Sequence, residues 1–192
     1  MLLLLILVVL FSGLKKMFFS GPRILKLVKA GNASGVLKIL KQDRRLIYEK
    51  YQGLSLIFYA VTSGQIEVVR TLASMGADVN EANLNESYLV TAVDLNNLPM
   101  IKTLLELGAR INVPGFSPLH TSAYIEDLEL TSFLVESGAE LNAIYEEKID
   151  GELMRQTPLD VAIYYQNREI IAYLESQGGK KAAELGSIMS SK

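Results

Sequence analysis

Gly76-Ala77-Asp78-Val79-Asn80, Gly108-Ala109-Arg110-Ile111-Asn112 and Gly138-Ala139-Glu140-Leu141-Asn142 are one phrase written three times at near-constant spacing. A period of about thirty residues marks stacked supersecondary units, each too small to bury its apolar face alone. The 192-residue chain therefore reads as an array of similar units, and arrays of this kind work by presenting a surface rather than by holding a catalytic pocket.

Each unit opens with a second string. Ser117-Pro118-Leu119-His120 and Thr157-Pro158-Leu159-Asp160 are its clearest copies, and Ser55-Leu56-Ile57-Phe58 and Ser87-Tyr88-Leu89-Val90 are degraded ones. Ser or Thr before Pro is a helix N-cap followed by the first helical position, where proline's missing N–H costs nothing. Two residues past each string stands a small residue (Ala60, Ala92, Ser122, Ala162) that lets two antiparallel helices approach closely. A second helix follows in each unit, with apolar stripes such as Val68, Val69, Leu72 and Met100, Ile101, Leu104 at helical spacing. Gly76, Gly108, Gly138 and Gly178 then end those helices. Between the helices of a unit a left-handed residue is wanted. The positions are Gly31, Gly64, Asn96, Glu126 and Gln166, at intervals of 33, 32, 30 and 40 residues. Glutamate and glutamine disfavour that conformation, so the last two turns are expected to differ.

The paired strings resemble the ankyrin repeat, whose motif reads Thr-Pro-Leu-His-x-Ala and closes on Gly-Ala-Asp-Val-Asn. The resemblance covers residues 22–185. It implies an all-α ankyrin-repeat solenoid, made of helix-turn-helix pairs joined by hairpin loops. The N-terminal cap is 22–50 and the repeats are about 51–82, 83–112, 113–142 and 143–185. The longest interval carries an insertion, residues 144–155, readable as a longer hairpin turning at Asp150-Gly151. Residues 179–185 can start a short capping helix, and 186–192 read as a frayed tail.

Residues 1–19 form a separate segment. Met1 to Phe11 is uninterrupted apolar sequence, followed by Ser12-Gly13-Leu14, Lys15-Lys16 and Met17-Phe18-Phe19. As a helix the stretch to Leu14 is about 21 Å long, and to Phe19 about 28 Å, against a hydrocarbon core of roughly 30 Å. The preferred reading is an N-terminal hydrophobic helix that anchors the chain in a membrane by a single pass. A signal peptide is the alternative, although no basic residue precedes the apolar run and the cleavage pattern is poor. A core helix, or a true start at Met17, is the third. Residues 1–42 hold seven basic residues and no acid, while the remainder holds 12 basic residues and 21 acids. Lysines directly after an apolar segment favour the cytoplasmic side for the residues beyond them. The repeat domain is then cytoplasmic, or exported under the signal-peptide reading.

The acidic body excludes a nucleic-acid surface. The absence of cysteine excludes disulfides and thiolate metal sites. The single histidine, His120, lies inside the opening string, where the resemblance implies a structural role in the turn. No nucleophile elbow or phosphate loop is present, and no cofactor, metal site or enzymatic activity is expected. The expected partner of the chain, itself a monomer, is another protein. The resemblance places contacts at hairpin tips and at the ends of the first helices. Carried over by position, these are Tyr51 and Leu54, Leu84 and Glu86, Leu95, Phe116, Tyr124 and Ile125, and Tyr164 and Tyr165, with Tyr145, Glu146 and Glu147 in the insertion. The aromatic members gather toward the C-terminal half, and tyrosine is enriched among binding anchors because it is large, stiff and tipped with a hydroxyl.

Overall fold

The computed structural model describes residues 23–81, 87–113, 115, 117–149 and 152–189. Contacts divide the chain into two compact units, Met1–Leu84 and Asn85–Lys192. In the first unit, helix α1 (23–29) pairs with α2 (Ala33–Gln42), a 3-10 turn (Arg44–Ile47) comes after, and α3 (Leu56–Thr62) pairs with α4 (Ile66–Ser74). The second unit holds α5 (Tyr88–Asp94) with α6 (Leu98–Glu106), and α7 (Pro118–Ile125) with α8 (Leu128–Glu136). A hairpin of β1 (Tyr145–Ile149) and β2 (Glu152–Gln156) comes next, then α9 (Pro158–Tyr164), α10 (Arg168–Ser176) and α11 (Ala182–Met189).

The opening strings cap their helices. Phe58 N–H donates to Ser55 Oγ and Val90 N–H to Ser87 Oγ, at 3.2 and 3.1 Å. Satisfying one of the orphan donors of each helix start stabilises it by about 1 kcal/mol. The small residues Ala60, Ala92, Ser122 and Ala162 are fully buried where paired helices meet. Val68, Val69, Leu72, Met100, Ile101 and Leu104 are all inaccessible, and each such side chain contributes roughly 1.5–3 kcal/mol by leaving water. Within the second unit first helices stack on first helices (α5 on α7, α7 on α9), and α8 packs on α10.

The turn inside each pair keeps one backbone conformation. Residues 31, 64, 96, 126 and 166 all have φ between +47° and +72°. In four of them two reversed hydrogen bonds close the helix end, as when Gln166 N–H donates to Ile163 O and Asn167 N–H to Ala162 O. Glu126 and Gln166 therefore do not depart from the left-handed angle of the glycine turns; packing of the helices on either side overrides the residues' own preference.

The insertion forms the longer hairpin that its sequence suggests, an antiparallel ribbon with Tyr145 opposite Gln156 and Ile149 opposite Glu152. Its strands are Tyr145–Ile149 and Glu152–Gln156. The last helix extends to Met189 rather than stopping near Leu185. The hydrophobic helix expected at 1–19 lies outside the described residues, and no described helix is long and apolar enough to cross a membrane.

Candidate protein-binding surface

Asn96, Glu126 and Gln166 end the first helices of the second unit at one register. The residues just before them therefore emerge on the same rim. They are Asp94-Leu95 from α5, Tyr124-Ile125 from α7 and Tyr164-Tyr165 from α9. Tyr124 Oη donates to Asp94 Oδ1 of the preceding repeat. The Tyr124 ring lies 5.7 Å from that of Tyr165, tilted by 43°, and Tyr164 meets Tyr165 edge-on at 5.1 Å. Edge-on and tilted ring pairs are the favoured aromatic geometries. Three tyrosines from two successive repeats thus form one cluster, tied through Asp94 to a third repeat. Tyr164 is 73% exposed, Tyr165 51% and Leu95 49%, while Tyr124 and Ile125 are half-buried. Tyr124 packs between repeats and has its hydroxyl engaged, whereas Tyr164 and Tyr165 turn large apolar faces to solvent. Beside them a groove of about 320 Å³ is lined by Glu126, Gln166, Arg168 and Glu169 among others.

The ribbon is organised differently. His120 is fully buried beneath its start. Ser117 N–H donates to His120 Nδ1 at 3.2 Å, with Ser117 Oγ at 2.8 Å from the same nitrogen. A backbone N–H can only donate, so Nδ1 is unprotonated, and the proton sits on Nε2, which donates to the Gln156 carbonyl at 3.1 Å. Burial holds the imidazole below its usual pKa, opposed by the backbone carbonyls of Gln156 and Ala143 and by Asp160. The Tyr145 ring meets His120 edge-on at 6.4 Å. The Tyr145 hydroxyl is pushed up by desolvation first and by the neighbouring Glu147 second. Arg155 Nε donates to Glu146 at 2.8 Å across the ribbon, Glu147 interacts with the Tyr145 hydroxyl, and both glutamates are exposed.

In the first unit the tip residues are less available than their position implies. Tyr51 and Leu54 exchange both backbone hydrogen bonds, at 2.7 and 3.1 Å, around Gln52 and Gly53, whose φ values are +55° and +82°. Two consecutive positive φ angles make the tight mirror-image turn that suits a twisted ribbon. Tyr59 Oη donates to the Tyr51 carbonyl at 2.8 Å and pins that turn. Both Tyr51 and Leu54 are half-buried. The Tyr51 hydroxyl is buried without a hydrogen-bond partner, and desolvation, with Glu49 and Asp43 nearby, pushes its pKa up to about 12. Tyr51 is thus a packing residue, not a free anchor. Leu84, Glu86 and Phe116 lie outside the described residues.

The residues that join one repeat to the next escape a reading by motif alone. The asparagines closing the second and third phrases are one set. Asn112 Nδ2 donates to the Gly138 carbonyl at 3.0 Å and Asn112 Oδ1 accepts from Glu140 N–H at 2.8 Å. Asn142 does the same one repeat later, to Gly178 O at 3.4 Å and from Lys180 N–H at 2.7 Å. Asp160 is the other. Its Oδ2 accepts from Thr157 N–H and from Ala182 N–H, at 3.0 and 2.8 Å. The recurrence of Asn at a fixed place is the signal that could have found the first set. Among the described residues no group of three or more His, Asp or Glu is placed to hold a metal ion.

Comparison with known proteins agrees with this geometry. The family model for ankyrin repeats (3 copies) matches residues 24–114 and 89–184. A B-cell lymphoma 3 protein homolog of Mus musculus is 32% identical over 138 residues, which is 69% of this chain and 29% of that protein. Protein VAPYRIN-LIKE of Medicago truncatula is 31% identical over 62% of this chain and 25% of its own length. The BRCA1-associated RING domain protein 1 of Caenorhabditis elegans is 32% identical over 48% of this chain and 13% of its own. The chain thus spans less than a third of each of these relatives. On the family match across nearly all the described helices, the chain belongs to the ankyrin-repeat family, whose repeats are protein–protein interaction modules.

Proposed function

We propose that this protein is a non-enzymatic, membrane-tethered module that binds a partner protein on the tyrosine rim of its second unit. The observation that carries the reading is the exposure of Leu95, Tyr164 and Tyr165 at two adjacent repeat positions, around a preformed aromatic cluster. A rigid surface of stiff side chains loses little entropy when it is covered, so more of the contact energy appears as affinity. One relative is, by its name, associated with another protein, and that kind of use is what we carry over. The tether is residues 1–19, with Lys15 and Lys16 holding the repeats on the cytoplasmic side. An anchor raises the effective concentration of the module toward partners in the same membrane.

The test is capture of partners from the membrane and soluble fractions of the source cells by the full-length chain and by Tyr164→Ala/Tyr165→Ala. The variant is expected to fold with an unchanged helical circular dichroism spectrum and to lose at least about tenfold in affinity for the captured partner, since each exposed aromatic anchor accounts for more than about 1 kcal/mol. Undiminished capture by a folded variant removes the rim from consideration. The length of the apolar run also favours a second reading, in which the segment is cleaved and the module is exported. Intact-mass measurement after fractionation separates the two: a chain starting at Met1 in the membrane pellet supports the tether, and a trimmed soluble chain supports export.

A further inference from the structure

The charge around the tyrosine rim points to what it binds. None of the three first helices of the second unit contains a lysine or arginine: α5 reads YLVTAVD, α7 PLHTSAYI and α9 PLDVAIY. The helix ends and turns beside them carry Asp94, Glu126, Asp127, Glu129 and Glu169 against the single base Arg168. Asp94 is bound to Tyr124, and Asp127 caps α8 through Leu130 N–H at 2.9 Å. Among the described residues no hydrogen bond or ion pair engages the side chains of Glu126, Glu129 or Glu169. Glu126 and Glu169 line the groove that opens beside Tyr165.

We infer that the rim takes a basic, apolar segment of a partner protein, with arginine or lysine side chains alternating with apolar ones. This rests on the rim being the binding surface and adds the chemistry of what it binds. The apolar side chains cover Leu95 and Tyr165. A guanidinium or ammonium group stacks on the exposed face of Tyr164, where the ring's negative face attracts it. A second cation reaches the carboxylates of Glu126 and Glu169. An acidic segment meets like charge at the same places and is rejected, which gives the site its selectivity.

Three labelled peptides of equal length and apolar content test this, one carrying four arginines, one four glutamates and one four glutamines, titrated by fluorescence anisotropy against the full-length chain. The arginine peptide is expected to bind at least about tenfold more tightly than the glutamate peptide, with the preference shrinking as salt shortens the screening length to a few ångströms. Glu126→Gln/Glu129→Gln/Glu169→Gln is expected to bring the three peptides close together without abolishing binding, because shape and aromatic contact survive. Tyr164→Ala/Tyr165→Ala is expected to weaken all three. Charge-blind binding that still needs the tyrosines overturns the cation inference and leaves the rim standing. A preference for arginine that survives both variants places basic segments elsewhere and overturns it too. Self-association of the chain that competes with the arginine peptide identifies a second copy as the occupant and likewise overturns it.

Discussion

Glu126 holds φ at +64°, where the Cβ of an L-residue is crowded against its own backbone. Gly31 and Gly64 occupy the same turn position in the first unit with φ of +72° and +68°, so Glu126→Gly is expected to raise stability by about 0.5–1 kcal/mol. Urea midpoints of the two proteins check it. His120 works in the opposite sense to a surface histidine. Both its nitrogens are spoken for by neutral hydrogen bonds, and its folded pKa lies below the unfolded value of about 6.5. Above that value folded and unfolded chains are both neutral, and the interaction is intact. As pH falls through it the unfolded chain binds a proton that the folded chain refuses, so stability declines with acidification until the lowered folded pKa is reached. Thermal melts between pH 7.5 and 5.5 should show this decline, and His120→Gln should flatten it while lowering stability at pH 7.5 by about 1–3 kcal/mol for the groups left unpaired.

At the scale of elements, the joints between repeats decide which parts open together. Asp160 stands where His120 stands one repeat earlier, at the third helical position after the cap. The histidine donates outward to a strand carbonyl at Gln156, while the aspartate accepts from the first N–H of α11 at Ala182. Side chain and neighbour have changed together. Asp160→Ala is expected to cost about 1–2 kcal/mol as an orphaned helix start and a broken capping pair. Hydrogen exchange should report it locally, with amides 182–189 losing protection while α5 and α6 keep theirs. Separation along the chain sets how much of this is legible in the sequence. Ser55, Ser87 and Thr157 cap donors three residues away, so a fixed string suffices to read them. Asn112 and His120 serve partners 26 to 36 residues off, and spacing does not say which carbonyl ends up opposite. The same limit explains the tyrosines. Helical register places Tyr124, Tyr164 and Tyr165 on one rim, but that Tyr124 is consumed by Asp94 depends on how closely α5 and α7 pack. Motif position marks Tyr51 as exposed, yet its turn folds back under Tyr59.

At the scale of the whole molecule, charge is divided along the chain: seven basic residues and no acid up to position 42, then an excess of acids. Under the tether reading the two regions have different tasks, the basic one toward anionic lipid and the acidic rim toward a cationic partner. Each lysine near such a surface is worth about 1 kcal/mol. Lys15→Gln/Lys16→Gln is therefore expected to reduce binding of the full-length chain to vesicles containing phosphatidylserine by about thirtyfold, and to leave partner capture through Tyr164 and Tyr165 unchanged. Co-sedimentation at low and high salt measures the first effect. Equal binding of both proteins to the vesicles ends the argument that these lysines face lipid.

The exchange of histidine for aspartate between residues 120 and 160 acts as punctuation. A histidine at this place expects a further hairpin, whose carbonyl it can reach; an aspartate expects a helix beginning and can accept nothing from a carbonyl. Anyone lengthening the array by splicing a copy of residues 113–142 after Gly178 must therefore rewrite Asp160 as well, or the new joint will set one lone pair against another.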